Sequence, residues 1–386
     1  MVANGKSAFI YSDAFTKYKF AEEHPFNPKR LEMTLDLIKT IGFLDADQII
    51  TPRMATQEEL ARVHDTRYLD AVQAASQPQA NPDDFATWGL GTEDTPIFAG
   101  MHEATSLIAG GTLLAADLVM SGQYRYALNM AGGLHHARRA EASGFCVYND
   151  IAVAIAHVRE KYGARVAYID TDAHHGDGVQ WIFYEDPDVL TISLHETGKY
   201  LYPGTGEIIE RGEGRGYGYA VNVPLEAFTE DDSWMNAVRS VIIPTIQKFA
   251  PDIIFHQNGC DAHTYDPLTH LSASTHIYRE MPKITRLLAE EMCDGRLVAV
   301  GGGGYDIWRV VPRAWTMLWA ELNGNELPER LPKAWLERWQ LEASTALPEF
   351  FLDPPGSFEA IPRRAEIEEK NEIMVRRVLN GTPFLY

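Results

Sequence analysis

One wound parallel sheet with helices on both faces, an α/β fold in a single domain, is what the chain predicts. Short apolar runs rich in β-branched residues recur along it. Helical patterns lie between them, and no repeat, low-complexity tract or Ser/Gly linker divides the chain. Continuous apolar runs belong to strands covered on both faces, as parallel strands are. An apolar content of 45% in 386 residues is ample for the core this requires.

The first strand is "SAFIY" from Ser7, and "PKRLEMTLDLIKTIG" and "GMHEATSLIAGGTLLAADLVMSG" are helices. "YALNMA" from Tyr126 is a strand followed by the helix "DIAVAIAHVREKYG". "RVAYID" from Arg165 and "DVLTISL" from Asp188 are two more strands. "DDSWMNAVRSVIIPTIQKFA" has apolar residues at three- and four-residue spacing, the period of one helix face. It leads to the strands "DIIFHQN" from Asp252 and "RLVAVGG" from Arg296. Near the C-terminus "LPEFFLDPPGSFEAIPRR" is a proline-rich loop and "AEIEEKNEIMVRRVLNG" an amphipathic helix stopped by Gly381. These make a core of about residues 7–325 with an appendage of about 326–386, so 1–386 reads as one domain.

A formal net charge of −20 argues against a nucleic-acid backbone or an anionic membrane as partner and favours attraction for cationic groups. Cys146, Cys260 and Cys293 are an odd number with no C-x-x-C spacing. They predict neither a disulfide framework nor a thiolate zinc site, and they suit the cytoplasm. "MVANGKSAFIYSDAF" lacks a basic stretch followed by an apolar run, and no segment approaches the ~20 apolar residues that span a bilayer.

"AGGLHHARRAEASGF", "DTDAHHGDG", "NGCDAH" and "GGGGYD" each follow one of the strands, at the carboxyl end where open parallel sheets build ligand crevices. Four loops therefore converge. Asp170, Asp172 and His174 are spaced by two, so side chains that continue the strand geometry point the same way. Carboxylate oxygen and imidazole nitrogen suit Zn²⁺, and also Fe²⁺ or Mn²⁺. With Asp261 as third ligand beside Asp172 and His174, a position is left for water, as in a catalytic site. The bland alternative is a satisfied buried network near a turn. Burying Asp170, Asp172, Asp177 and Asp261 together without a cation costs several kcal/mol per uncompensated charge, and a metal removes that repulsion.

His135 and His136 follow a glycine turn, and Asp170 and Asp177 are the carboxylates left for them. A carboxylate bonded to one imidazole nitrogen fixes the tautomer and raises basicity, as a general base requires. Tyr305, after four glycines, is either a packed ring behind a flexible loop or a phenol that donates to a developing oxyanion.

Together "GGLHHARRAEASGFCVYNDIAVAI", "YIDTDAHHGDGVQ", "TISLHETGKYLYPGTGE", "YAVNVPL", "QNGCDAHTYDPL" and "GGGGYDIWRVVPRAW" resemble the metal-dependent histone deacetylase superfamily, in particular its bacterial acetoin-utilisation branch. The motifs keep the family's order from about Phe9 to Trp319. The resemblance implies the arginase/deacetylase-like fold, one α/β domain around an eight-stranded parallel sheet flanked by helices. It implies Asp172, His174 and Asp261 as metal ligands, His135 and His136 as paired histidines backed by Asp170 and Asp177, and Tyr305 as the carbonyl-polarising tyrosine. Structural or regulatory potassium is implied at two sites. One uses Asp170, Asp172, His174, Ser193 and Leu194; the other uses Phe183, Asp186, Val189 and Tyr219. Phe145 and Tyr202 match the aromatic walls of an acyl-lysine tunnel, Gly144 its lining and Leu268 its lip. The histone enzymes usually carry phenylalanine where this chain has Tyr202. Arg30 matches an arginine of the acetate cavity. The acidic rim residue falls in "GLGTEDTP", where this chain is one residue longer, so Glu93 and Asp94 compete for it and Asp94 is preferred.

The implied reaction is zinc- or iron-dependent hydrolysis of the acetamide of N6-acetyl-lysine in proteins. Metal and Tyr305 polarise the carbonyl, His136 backed by Asp177 takes a proton from water, and His135 acts mainly electrostatically. An acetylated metabolic enzyme, such as an acetyl-coenzyme A synthetase, is the partner that the branch suggests. One rival is an acetylpolyamine amidohydrolase, expected to narrow its tunnel with an insertion or acidic gate. A silent acyl-lysine-binding module would lack Tyr305, His136 or a ligand, and a manganese ureohydrolase needs carboxylates for two metals. "RRAE" and "EIEEKNE" read as solvated helix faces, Cys260, Trp315 and Trp319 as core, and His175 as a loop-shaping residue. His24, His64, His102, His157, His195, His256, His263, His270 and His276 read as histidines without a comparable constellation.

Overall fold

Eight strands form one sheet in the computed structural model, which describes residues 7–382. They are β1 (Ala8–Ile10), β2 (Ile49–Ile50), β3 (Tyr126–Asn129), β4 (Val166–Asp170), β5 (Val189–Glu196), β6 (Ala220–Leu225), β7 (Ile253–Gln257) and β8 (Leu297–Val300). All pair in parallel, in the order β2-β1-β3-β8-β7-β4-β5-β6. Strands β3 to β8 are buried along their whole length, which is why most of them are near-continuous apolar runs. Two strands have no counterpart among the runs read from the sequence. β2 is only two residues long, and β6 carries Asn222 and Pro224; an edge strand tolerates a residue without an N–H.

This order sets β3, β8, β7 and β4 side by side, and with them the four loops that leave their carboxyl ends. Strand β8, the last in the chain, joins β3 on one side to β7 on the other.

The helix Met101–Met120 lies against the helix Asp150–Tyr162 and against β1, β3 and β8. By length and composition it is apolar enough to cross a bilayer, contrary to the sequence expectation, but 67% of its apolar window is buried in the protein core. The pattern over residues 231–250 reads as one helix, and the structure divides it into Asp231–Ala237, a π turn Val238–Ile242, and Ile243–Phe249. Pro244 has no N–H to return to an earlier carbonyl, which favours the wider turn just before it.

The C-terminal segment is built onto the core in two places. Asp353 is held between His263, Thr275 and Arg313. The helix Arg364–Gly381 packs on β6, where Asn371 Oδ1 accepts from the Glu226 N–H at 3.0 Å and Asn371 Nδ2 donates to Thr229 Oγ1 at 2.7 Å. It covers the edge that β6 would otherwise present.

Candidate active site

The loops after β4 and β7 bring one imidazole nitrogen and two carboxylate oxygens together. The ligand atoms of Asp172, His174 and Asp261 lie within 4.8 Å of one another, all in buried residues. His174 Nδ1 is 2.8 Å from Asp261 Oδ2 and 3.1 Å from Asp172 Oδ1. Backbone donors fix the carboxylates: the Gly303 N–H reaches Asp172 Oδ2 at 2.6 Å and the Ala173 N–H reaches Asp261 Oδ1 at 2.8 Å. A Cβ on Gly303 would sit 2.1 Å from Asp261 Oδ2, so the glycine run serves close approach of β8's loop to the donors. Burial and the charge of Asp172 raise the Asp261 pKa to about 6. Burial disfavours the His174 imidazolium, but its hydrogen bonds to Asp172 and Asp261 outweigh this and raise its pKa well above the usual range. Two buried carboxylates and an imidazole packed this closely favour a positive charge among them. One nitrogen and two oxygens at this spacing fit a divalent metal.

Beside the triad stand two histidine–carboxylate dyads. His135 Nδ1 is 2.7 Å from Asp170 Oδ2, and His136 Nδ1 is 2.7 Å from Asp177 Oδ1. The two Nε2 atoms face each other at 3.0 Å, so one proton lies between them. Burial opposes charge on His135, but Asp170 and Asp172 outweigh it and raise its pKa to about 9. Burial and the charge of His135 lower His136 to about 4. These opposite directions favour His135 as the donor and His136 as the acceptor of that bond. The histidine loop is held by the start of the helix Asp150–Tyr162. Asp150 Oδ1 accepts from the N–H groups of Gly133 and Leu134, and Asn149 Nδ2 donates to the carbonyls of His135 and Ala137.

Tyr305 and the expected wall residues surround this pair. The Tyr305 ring lies 5.7 Å from Phe145 and 6.4 Å from His174, and the Tyr202 ring 5.1 Å from His136. A Cβ on Gly144 would meet His136 Cδ2 at 2.5 Å and Tyr202 Cε1 at 2.8 Å, so only glycine lets the wall lie this close. The Tyr202 hydroxyl is hydrogen-bonded to Ser143 Oγ. Burial, then the charges of Asp261 and Asp172, push the Tyr305 phenol well above its usual pKa. Leu268 is half-buried in the loop between Asp261 and His270. Glu93 and Asp94 are both exposed, and the Asp94 carbonyl lies 3.3 Å from His24 Nε2.

Arg30 is buried beneath the glycine run, with Nη1 donating to the carbonyls of Gly302 at 2.9 Å and Gly304 at 3.0 Å. Of the residues implied for potassium, Asp170 and Ser193 are cross-strand partners, and Leu194 follows fully buried. Phe183, Asp186 and Val189 share one turn: the Asp186 N–H donates to Phe183 O, and the Val189 N–H to Asp186 O. The Tyr219 carbonyl accepts from Thr191.

Several residues read as bland reach this site. "RRAE" is a turn, not a helix face: Arg138 Nη2 lies 3.2 Å from Asp177 Oδ2, and Arg139 donates to the carbonyls of Val63 and Ile182. His24 packs its ring 4.6 Å from Phe145. His263, two residues after Asp261, lies 2.9 Å from Asp353, and His270 is gripped by buried Glu196. Only the proximity of Arg138 to the histidine pair signals its role in sequence; the other contacts join segments far apart in the chain. His175 lies 2.8 Å from Thr205 Oγ1 and 3.0 Å from Gln180 Oε1, in keeping with a loop-shaping role.

Residues 24–322 match the histone deacetylase domain. The acetoin utilization protein AcuC of Bacillus subtilis is 55% identical over 373 residues, covering 97% of this chain and 96% of its own. AcuC of Staphylococcus aureus is 44% identical over 370 residues, covering 96% and 95%. Two solved structures share the fold. An HDAC homolog complexed with SAHA has a TM-score of 0.86 at 31% identity, covering 96% of this chain and 100% of its own. An HDAC homolog from Aquifex aeolicus has a TM-score of 0.85 at 31% identity, covering 95% and 100%. The eight-stranded parallel sheet flanked by helices is the one the sequence resemblance implied.

Proposed function

Since the chain belongs to the histone deacetylase family, as a deacetylase of its acetoin-utilisation branch, we propose that it hydrolyses the acetamide of N6-acetyl-lysine in proteins. One observation carries this reading. The rings of Phe145 and Tyr202 stand against Tyr305 and His136, so two apolar walls flank the approach to a buried site that holds acid, base and metal donors. Such walls suit the straight methylene chain of lysine, which gains from apolar contact along its length.

Zn²⁺, or alternatively Fe²⁺, is the proposed metal of Asp172, His174 and Asp261; when bound it supplies Lewis acidity to the carbonyl and acidifies water. Neutral His136, whose Nδ1–H is held by Asp177 so that the tautomer is fixed, is the general base: Nε2 releases its hydrogen bond from His135 and takes the proton of the attacking water. His135, paired with Asp170, adds positive charge beside the forming oxyanion. Tyr305 keeps its proton at pH 7 and donates a hydrogen bond to that oxyanion. The C–N bond breaks as the imidazolium returns its proton to the departing amine, leaving acetate and free lysine.

In this reading Gly144, Phe145, Tyr202 and Leu268 line the tunnel, Asp94 holds the substrate backbone at the rim, and Arg30 serves the acetate cavity. Potassium occupies the two sites named from the sequence. The substrate is an acetylated cytoplasmic enzyme, for which an acetyl-coenzyme A synthetase is the candidate.

The test strips the metal, refills with Zn²⁺ or Fe²⁺, and compares an acetyl-lysine peptide with N-acetylputrescine. Metal-dependent activity with preference for the peptide is expected. Preference for N-acetylputrescine overturns the protein substrate and leaves the chemistry; no hydrolysis of either by the refilled protein overturns both.

A further inference from the structure

Phe228 combines two costs that the packing of the fold does not require. Its φ is +64°, in the left-handed region where a bulky side chain crowds its own backbone, and its side chain is exposed. An exposed phenylalanine alone is ordinary. One whose backbone is forced into this region calls for a reason at the ring itself. Of the other described non-glycine residues with positive φ, Phe145 is also aromatic, and its ring is the one 5.7 Å from Tyr305.

Hydrogen bonds over-determine the strained conformation and tie it to the rim. The Phe228 N–H donates to the His270 carbonyl at 2.7 Å, Thr229 Oγ1 donates to the Glu226 carbonyl at 2.6 Å, and the Ser272 N–H donates to the Thr229 carbonyl at 2.9 Å. His270 ends the stretch that starts at Asp261 and passes through Leu268. Buried Glu196, at the end of β5, clasps it through the backbone N–H and through Nδ1, at 2.8 Å each. The Thr197 N–H, next along, donates to the Leu225 carbonyl at 2.7 Å, and that loop continues to Tyr202. Phe228 is therefore anchored to the end of the loop of Leu268, and the strand end that leads to it is tied at Leu225 to the start of the loop of Tyr202.

We propose that Phe228 is a specificity-determining residue whose ring packs against residues flanking the acetylated lysine of a polypeptide substrate. The inference rests on the protein-lysine reading above.

The metal-filled protein, wild type, Phe228→Gly and Phe228→Ala, is assayed on an acetyl-lysine nonapeptide and on acetyl-lysine capped at both ends, which keeps the side chain and lacks the flanks. Thermal melting is followed in parallel. Glycine adopts this φ freely, so Phe228→Gly removes the ring and keeps the backbone, and Phe228→Ala is expected to melt below it. Both variants are expected to raise KM for the nonapeptide about tenfold, the effect of losing part of an aromatic contact. In Phe228→Gly, kcat/KM for capped acetyl-lysine is expected to stay at the wild-type value. An equal loss on both substrates in Phe228→Gly overturns the proposal in favour of a structural role, and unchanged nonapeptide kinetics overturn it outright. A wild-type protein that cleaves neither probe overturns the protein-lysine reading and this inference together, and that failure shows before any variant is made.

Discussion

Replacing Asp353 by alanine tests how firmly the C-terminal segment is locked to the loop of the metal donors. The Asp353 carboxylate accepts from Arg313 Nη1 at 2.8 Å and from the Thr275 N–H at 2.9 Å, and lies 2.9 Å from His263 Nε2. The Arg313 side chain is 1% exposed and that of Asp353 8%. Removing the acid strands a buried guanidinium, which costs about 3–5 kcal/mol. Unfolding entropy of about 2 cal/mol/K per residue, summed over a chain of this length, converts that to a fall in Tm of about 4–6 °C. Asp353→Asn keeps the shape and an acceptor and is expected to fall about halfway. Arg313→Met combined with Asp353→Ala removes the stranded charge and is expected to recover part of the loss. Burial opposes ionisation of Asp353, yet His263 and Arg313 outweigh it and hold the carboxyl far below its usual pKa. Its folded pKa is thus depressed, and its stabilisation is complete above the unfolded value of ~3.9 and lost as pH falls below it. Differential scanning calorimetry from pH 8 to pH 3 should show a gap between wild type and Asp353→Ala that is constant down to about pH 4 and then narrows by about 1.4 kcal/mol per pH unit without closing by pH 3. A gap under 1 °C at pH 7, or one that does not narrow below about pH 4, refutes the reasoning.

Tyr305→Phe should lower kcat on an acetyl-lysine peptide by about 10²–10³ at unchanged Tm; near wild-type turnover removes the phenol from the mechanism. Chelation should lower Tm, because it leaves Asp172 and Asp261 buried together, and refilling at about a hundred times the metal's Kd should restore about 3 °C. Elemental analysis confirms the stripping, and a Tm indifferent to it argues against the triad as the metal's seat. Arg138→Gln removes a cation beside Asp177, so His136 should protonate more readily and the acid limb of kcat/KM should move up by about half a pH unit. The shift is small because the arginine is part-exposed and screened. An unmoved limb would show that Arg138 does not act on the dyad.

Two of the three donors are legible in sequence because their chemistry is written as spacing: Asp172 and His174 continue the alternation of Asp170 off the end of a strand, and Asp261 is found because four strand ends each carry a polar motif. The buried strands are legible because burial on both faces leaves apolar runs. Where the signal is short or mixed it fails, as in two-residue β2 and in β6 with its Asn222 and Pro224. Contacts that only folding creates are silent. Asp353 lies 90 positions from His263, and a proline-rich loop gives no hint that one of its acids is buried against an arginine. Arg138 misleads for a different reason: a charged run reads as solvated, while here the backbone turns and aims one guanidinium at Asp177.

The place of β8 between β3 and β7 has a consequence for how the protein is made. Without residues 297–300 the strand order leaves two separate blocks, β2-β1-β3 and β7-β4-β5-β6, each with an unpaired inner edge, and a ribosome delivers those residues after every other strand. Asp172, His174 and Asp261 all hang from the second block, while Gly303, whose N–H holds Asp172, follows the closing strand. His135 and His136 hang from the first, and their carboxylates Asp170 and Asp177 from the second, so both dyads bridge the seam. Tyr305 leaves the strand that closes it. The last strand to emerge is thus the one that joins proton carriers to their anions.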